Sequence, residues 1–215
     1  MSVPVVPAII PDSAQAVRTF GAVLSFSWEL HLDVVDGTFG PLSSWPYQPA
    51  GDPAEVSVAT DCFTLEVDLM VKEPLAAANT WVAAGADMIV FHVETTPLPA
   101  MINFSESRKV SVGVSALNDT PDTTLWPYLA HADYVQVMGI AQIGSQGQPF
   151  DPRSLERIAA IKRDFPGLMI SVDGSVNHTT IPFLCEAGVN RLIVGSAIVQ
   201  AADPKLAYLE LAALI

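Results

Sequence analysis

The feature that most constrains the fold is the regular recurrence of short apolar runs, each with the length and composition of a buried strand. The chain has 215 residues, and half of them are hydrophobic. This is enough for one sizeable core. Eight such runs occur, at residues 3–10, 30–35, 64–71, 88–94, 110–117, 134–140, 168–173 and 191–198.

Helix signals separate most of these runs. Asp151-Pro152 and Asp203-Pro204 are typical helix starts, and Ala84-Gly85 and Ala187-Gly188 are typical helix ends. Alternating strands and helices imply a parallel sheet with right-handed crossovers. The predicted helices cover residues 13–24, 74–84, 121–130, 152–165, 179–187 and 204–214.

Eight such units predict a (β/α)8 TIM barrel, which would be small for its class. An open doubly wound sheet is the alternative. No linker rich in proline, glycine or serine divides the chain, so residues 1–215 are predicted to form one domain. The longest irregular stretch, residues 38–60, is interpreted as a loop over the barrel mouth rather than as a domain boundary.

Period-two alternation places ionisable side chains on one face of several strands. His31 and Asp33 share a face, while Leu30, Leu32 and Val34 take the other. Burying such groups costs free energy unless a cation or a substrate uses them. Near the carboxyl ends of barrel strands, where barrel active sites form, they predict a functional site. The other strands place together Glu66 with Asp68 and Met70, His92 with Glu94, and Ser171 with Asp173 and Ser175.

Charge and cysteine content narrow the partners and the compartment. The net charge of −13 argues against nucleic acids and anionic membranes as partners. Cys62 and Cys185 are too few for a disulfide framework and fit a reducing compartment. The chain shows neither a signal peptide nor an apolar run long enough to span a membrane, so a cytoplasmic location is expected.

Several segments, in order along nearly the whole chain, resemble the ribulose-phosphate 3-epimerase family. The resemblance implies a barrel of the ribulose-phosphate-binding type. It also implies an isomerase in which two aspartates work on opposite faces of a planar enediolate, with a divalent metal held by two His and two Asp. The segments that carry it are His31–Pro41, Val67–Val71, Phe91–Glu94, Ala116–Asn118, Gly144–Phe150, Val172–Gly174, Thr180-Ile181, Ala187–Asn190 and Gly195–Ile198.

Carried over by position, Asp33 and Asp173 are the acid/base pair and also metal ligands, and His31 is a nitrogen ligand. Asp68 stands where the family has its second metal histidine. The metal set is therefore predicted to be His31, Asp33, Asp68 and Asp173. With one nitrogen and three carboxylates, it favours manganese or magnesium over zinc, with iron also a candidate.

The resemblance also assigns residues to the substrate. Gly174, Ser175, Gly195 and Ser196 follow strands seven and eight, the usual phosphate position of such barrels, and Gly147 lies in the loop after strand six. Backbone amides would then attract the anion, in place of Lys or Arg. The residues expected to line the pocket are Ala8, Met70 and Met138.

The predicted function is a metal-dependent 3-epimerase of carbohydrate metabolism, acting on a phosphorylated sugar, D-ribulose 5-phosphate to D-xylulose 5-phosphate being the expected case. Ala8, Asp68 and a changed loop after strand six keep a non-catalytic or repurposed sugar-phosphate-binding barrel as an alternative. A lyase of the same barrel group is a third candidate, but its expected Asp-x-Lys-x-x-Asp arrangement is missing. A homo-oligomer is left open.

Overall fold

The computed structural model describes residues 3–107, 109–144 and 147–215, and its sheet is a closed barrel of eight parallel strands in chain order. The predicted (β/α)8 barrel is therefore confirmed, and the open doubly wound sheet is excluded. The strands are β1 (Val5–Ile9), β2 (Glu29–Val35), β3 (Thr64–Met70), β4 (Met88–His92), β5 (Ser111–Ala116), β6 (Tyr134–Met138), β7 (Met169–Asp173) and β8 (Arg191–Val194).

Helices connect the strands on the outside of the barrel, and all six predicted helices are found. They are α1 (Ala14–Val23), α3 (Pro74–Ala83), α5 (Asp122–Leu129), α6 (Arg153–Asp164), α7 (Ile181–Glu186) and α9 (Pro204–Ala212). The ends follow the predicted signals. Asp203 caps α9 by accepting a hydrogen bond from the backbone N–H of Leu206, and Pro204 takes the first helical position.

Four helical pieces in the described part of the chain were not predicted, and the last of them follows β8. Helix α4 (Leu98–Ser107) fills the connection between β4 and β5, where the sequence offers no clear cap or strongly two-sided pattern. The stretch interpreted as a loop contains a short 3-10 helix, Pro53–Val56, followed by the single turn α2 (Ser57–Thr60). Asp52 and Glu55 form a capping box at the start of that piece.

The eighth strand is shorter than predicted. It ends at Val194, and helix α8 (Ser196–Val199) follows at once. The backbone N–H groups of Ile198 and Val199 donate to the carbonyl of Gly195, which turns the chain out of the sheet. Ser196 therefore lies at the start of a helical turn, beyond the end of the strand.

Period-two alternation separates an outer core from the barrel interior, as predicted. Leu30, Leu32 and Val34 are fully buried in the outer core between strands and helices. Each such side chain contributes about 1.5–3 kcal/mol through burial. His31 and Asp33, on the other face of β2, are buried inside the barrel.

Part of the segment after β2 reaches the barrel mouth. Ser44 donates its backbone N–H to the carbonyl of Val35, and its hydroxyl accepts from the N–H of Val35. Phe39 packs against an apolar cluster that includes Met70 and Met138, at the carboxyl ends of β3 and β6. The segment is thereby tied to the end of β2 at which the predicted site lies.

No helix in the described part of the chain is both long and apolar enough to cross a membrane.

Candidate active site

Four side chains from three strands meet inside the barrel. His31 and Asp33 come from β2, Asp68 from the neighbouring β3 and Asp173 from the end of β7. One ligand-type atom from each lies within 4.8 Å of the others. The register explains the meeting of Asp33 and Asp68, because these residues are paired across β2 and β3. The structure thus brings together the whole predicted metal set.

The electrostatics of this cluster favour a cation. Burial raises the pKa of Asp173 well above its usual range, and the charge of Asp33 raises it further. Burial also raises the pKa of Asp33, against the opposing effect of His31. A cation among these carboxylates would lower both pKa values by stabilising the ionised forms.

Two buried atoms in the cluster have no hydrogen-bond partner among the described residues: Nε2 of His31 and Oδ1 of Asp33. They lie 3.3 Å apart. Apart from this contact with each other, neither atom has a partner among the described residues, and a ring nitrogen beside a carboxylate oxygen is a donor set that suits a divalent ion. The residues present therefore fit the metal that the sequence predicts.

The other ring nitrogen of His31 contacts a buried carboxylate on the side away from the cavity. Its Nδ1 lies 2.7 Å from Oε2 of Glu66. Burial opposes ionisation of Glu66, but His31 and Arg191 outweigh it and lower its pKa to about 2. Nδ1 therefore donates to an ionised carboxylate, and this contact points Nε2 toward the cluster.

Arg191 extends this contact toward the amino-terminal end of the barrel. Its guanidinium bonds both oxygens of Glu66, at 3.0 and 3.1 Å, and Glu29 at 2.6 Å. It also donates to the hydroxyl of Ser171 at 3.2 Å. Alternation along β3 predicts Glu66 on the inner face, but it does not predict the partner, Arg191.

Both carboxylate oxygens of Asp68 have hydrogen-bond partners. His92 Nε2 lies 3.0 Å from Oδ1, and Gln136 Nε2 donates to Oδ2 at 2.8 Å. His92, which alternation along its strand places on one face with Glu94, thus contacts a residue of the predicted metal set. Gln136, from β6, was not singled out, although a lone amide in an apolar strand is a usable signal.

A cavity of about 300 Å³ opens above the cluster at the carboxyl ends of the strands. Asp33 and Asp173 form part of its wall, so both acids can reach a bound molecule. All five residues predicted to bind phosphate also line it, together with Met70 and Met138. Those five are Gly147, Gly174, Ser175, Gly195 and Ser196.

The glycines at this end fit a close approach of the backbone. Gly174 has φ +96°, and a Cβ there would lie 2.7 Å from the Ile140 side chain. Ser175 follows with φ 55°, in the left-handed region. The chain turns sharply directly after Asp173, so the amides of this turn and the carboxylate border one cavity.

Ala8 was predicted to line the pocket, but it does not reach the cavity wall. It is buried inside the barrel with Val6 and Ile193, and Ile10, just past β1, lies at the wall instead. The changed loop after strand six includes residues 145 and 146, which lie outside the described residues.

The carboxylate of Glu94, just past β4, accepts a hydrogen bond from the backbone N–H of Leu117, just past β5.

A closed parallel barrel with buried acids and a cavity at the carboxyl ends of its strands defines the class of (β/α)8 barrel enzymes. Within that class, the model of the ribulose-phosphate 3 epimerase family matches residues 7–199. The chain belongs to this family. The prediction of an enzyme of the isomerase class is thereby confirmed.

Named relatives agree with this assignment. The chain is 34% identical to the ribulose-phosphate 3-epimerase of Bacillus subtilis, over 85% of this chain and 84% of the relative. It is 31% identical to that of Mycobacterium leprae, over 96% of this chain and 92% of the relative. The epimerase of Eremothecium gossypii is also 31% identical, over 82% and 77%.

Solved structures resemble the fold at lower identity. A 3-hexulose-6-phosphate synthase superposes with a TM-score of 0.74 at 21% identity, covering 98% of this chain and 99% of that one. A Streptococcus mutans protein named KGPDC has a TM-score of 0.75 at 15% identity, covering 98% of this chain and 95% of that one. These likenesses concern the barrel alone.

Proposed function

We propose that the chain is a divalent-metal-dependent 3-epimerase of a ketose phosphate, interconverting D-ribulose 5-phosphate and D-xylulose 5-phosphate. One observation carries this proposal: Asp33 and Asp173, from β2 and β7, reach the same cavity and the same ligand cluster. The family and its named relatives support the reaction type.

Two carboxylates are what inversion of a carbon centre needs. One carboxylate removes the proton from carbon 3, and the electron pair moves into the adjacent carbonyl to give a planar enediolate. The other, on the opposite face, returns a proton to carbon 3. A single base would return the proton to the face it left. Asp33 and Asp173 are proposed for these two roles.

His31, Asp33, Asp68 and Asp173 would hold the ion. Bound there, a divalent cation would supply positive charge opposite the oxyanion of the enediolate. With three carboxylates and one imidazole, the set favours manganese or magnesium over zinc. The hydrogen bond between Nδ1 of His31 and Glu66 fixes the imidazole ring so that Nε2 faces the ion position.

The phosphate is proposed to bind at the other end of the cavity. Gly174, Ser175, Gly195 and Ser196 line it there. Their backbone N–H groups are donors that need no lysine or arginine, which reconciles an anionic substrate with a net charge of −13.

The inner face of β3 lacks the lysine that the lyase alternative requires. Glu66, Asp68 and Met70 are all buried, whereas Lys72 follows the strand and is exposed. No lysine is therefore available beside the acids of this strand.

A cytoplasmic location is part of the same proposal. Both cysteines, Cys62 and Cys185, are free, as a reducing compartment would maintain them.

Deuterium incorporation at carbon 3 tests the proposed reaction. The protein with Mn²⁺ is incubated with D-ribulose 5-phosphate in D₂O, and the sugar is followed by NMR. We expect deuterium at carbon 3 together with D-xylulose 5-phosphate. Asp33→Asn and Asp173→Asn should each block net epimerisation. Binding of the sugar phosphate without any exchange would overturn the proposal and favour a non-catalytic binder.

A further inference from the structure

We propose that Gln136 is a positioning residue, which fixes the carboxylate of Asp68 in the orientation required for cation binding. This inference rests on the proposed function, since it concerns one ligand of the proposed metal site. Gln136 lies on β6, on the far side of the barrel interior from β3. It acts on the ion only through Asp68.

The contacts of Asp68 carry the inference. Asp68 is fully buried and Gln136 is 1% exposed, so water does not compete for the bond between them. Gln136 Nε2 donates to Oδ2 at 2.8 Å, and His92 lies 3.0 Å from Oδ1. Because each oxygen has its own contact, turning the carboxylate about its Cβ–Cγ bond out of this plane breaks the contacts with both Gln136 and His92.

Repulsion from the other two acids of the cluster favours a rotation of Asp68 away from them. Asp33 and Asp173 each offer an atom within 4.8 Å of one from Asp68, and like charges at this range repel one another. Without a donor on its far side, Asp68 would lower its energy by turning away from them. The amide of Gln136 opposes that rotation.

The chemistry of the amide suits this task. It donates at every pH and carries no charge, so it leaves the negative charge of the cluster for the cation. A lysine or an arginine at position 136 would instead neutralise Asp68. Each oxygen of Asp68 keeps a second lone pair after accepting one hydrogen bond, so the restraint leaves a ligand position free.

Replacing Gln136 with methionine tests the proposal, because the two side chains are similar in length and shape but methionine donates no hydrogen bond. Mn²⁺ binding to the purified full chain is measured by isothermal titration calorimetry. Loss of a contact to a ligating group commonly weakens metal binding by about 10- to 100-fold, and we expect a loss of this size. We expect kcat to fall as well, with KM for the sugar phosphate little changed.

Ser115 provides the matched control. It is fully buried, it is the register partner of Gln136 on β5, and its hydroxyl has no hydrogen-bond partner in the described part of the chain. Ser115→Ala should leave Mn²⁺ affinity within about twofold of the natural protein. It removes a polar atom at the same level of the barrel that makes no hydrogen bond to Asp68.

A third comparison shows whether Gln136 acts through Asp68. In an Asp68→Asn background, Gln136→Met should change Mn²⁺ affinity far less than it does in the natural chain, because the contact it removes is already altered. If Gln136→Met does not fold, as judged by circular dichroism, Gln136→Leu takes its place. Equal losses in both backgrounds would show a general structural role and overturn the proposal.

The outcomes separate the two proposals. If the natural protein binds no Mn²⁺, the proposed metal-dependent function fails. If the natural protein binds Mn²⁺ and Gln136→Met binds it equally well, the metal site stands and the positioning role of Gln136 is wrong.

Discussion

Two layers of the barrel interior handle buried charge in opposite ways. The lower layer consists of Glu29, Glu66, Ser171 and Arg191, near the amino-terminal ends of the strands. The upper layer consists of His31, Asp33, Asp68 and Asp173 and lies below the cavity. His31 joins them through its contact with Glu66.

In the lower layer, each carboxylate contacts a cation within the protein. One guanidinium bonds two carboxylates, and its cationic group lies 5.8 Å from the centre of the Tyr134 ring. The charge of Arg191 and its bond to Glu66 help to keep that acid ionised. Such a network is stable without any added ion.

In the upper layer, three carboxylates face one imidazole. Burial and mutual repulsion raise the pKa values of Asp33 and Asp173, and Nε2 of His31 and Oδ1 of Asp33 have no partner among the described residues except each other. Buried ionisable residues alone therefore do not indicate a ligand site. A site is indicated by buried charge that has no balancing partner within the protein.

The largest expected effect comes from removing one acid of the upper layer. Asp173→Asn should lower kcat for epimerisation by at least about 10²- to 10⁴-fold, because a proton-transfer group is lost. The free energy of unfolding of the metal-free protein should not fall, since one repelling charge disappears. Coupled assays of epimerisation and urea denaturation check the two halves. A large loss of stability would place Asp173 in a structural role instead.

The next largest effect is expected in the lower layer. Arg191→Met leaves Glu29 and Glu66 without their cation in a buried setting, which should cost about 3–5 kcal/mol of stability. Urea denaturation of the metal-free protein measures this loss.

The control for Arg191 removes both charges of the central pair. Arg191→Met combined with Glu66→Gln should be more stable than Arg191→Met alone, because no unpaired carboxylate stays at position 66. If the single variant is as stable as the natural protein, the charges of the lower layer do not depend on Arg191 for their balance.

Metal addition tests the charge imbalance of the upper layer. At a free Mn²⁺ concentration about 100 times Kd, binding should stabilise the fold by about 2.7 kcal/mol. For a chain of this size, this corresponds to a rise in Tm of roughly 5–11 °C. Differential scanning calorimetry with Mn²⁺ and with EDTA measures it. Asp33→Asn should lose most of the rise, and an unchanged Tm in the natural protein would contradict a cation site in the upper layer.

Much of the fold was predictable because its signals are local. The alternation of side chains along β2 places His31 and Asp33 on one face and Leu32 on the other, and each strand can be assessed alone. Helix α4 was missed because Leu98–Ser107 lacks a cap signal and a clear apolar face.

The site was predictable only where a motif carried it. The ligand acids fall in segments that resemble the family, but Gln136 and Arg191 act through partners 68 and 125 residues away along the chain. These contacts exist because the barrel closes in a particular register. A single polar residue on an inward-facing position was the available signal, and its partner could not be deduced from spacing.

The smallest effect tests how redundant the lower layer is. Ser171→Ala removes one donated bond of 3.2 Å from Arg191, which keeps its bonds to Glu29 and Glu66. We expect a loss of about 0.5–1.5 kcal/mol in urea denaturation, since a single hydrogen bond is lost and the charges stay paired. Mn²⁺ affinity should be unchanged, although Ser171 precedes Asp173 by two residues on the same face of β7. A weakened Mn²⁺ site in Ser171→Ala would show that the two layers are coupled, and that Arg191 influences the upper layer through Glu66 and His31.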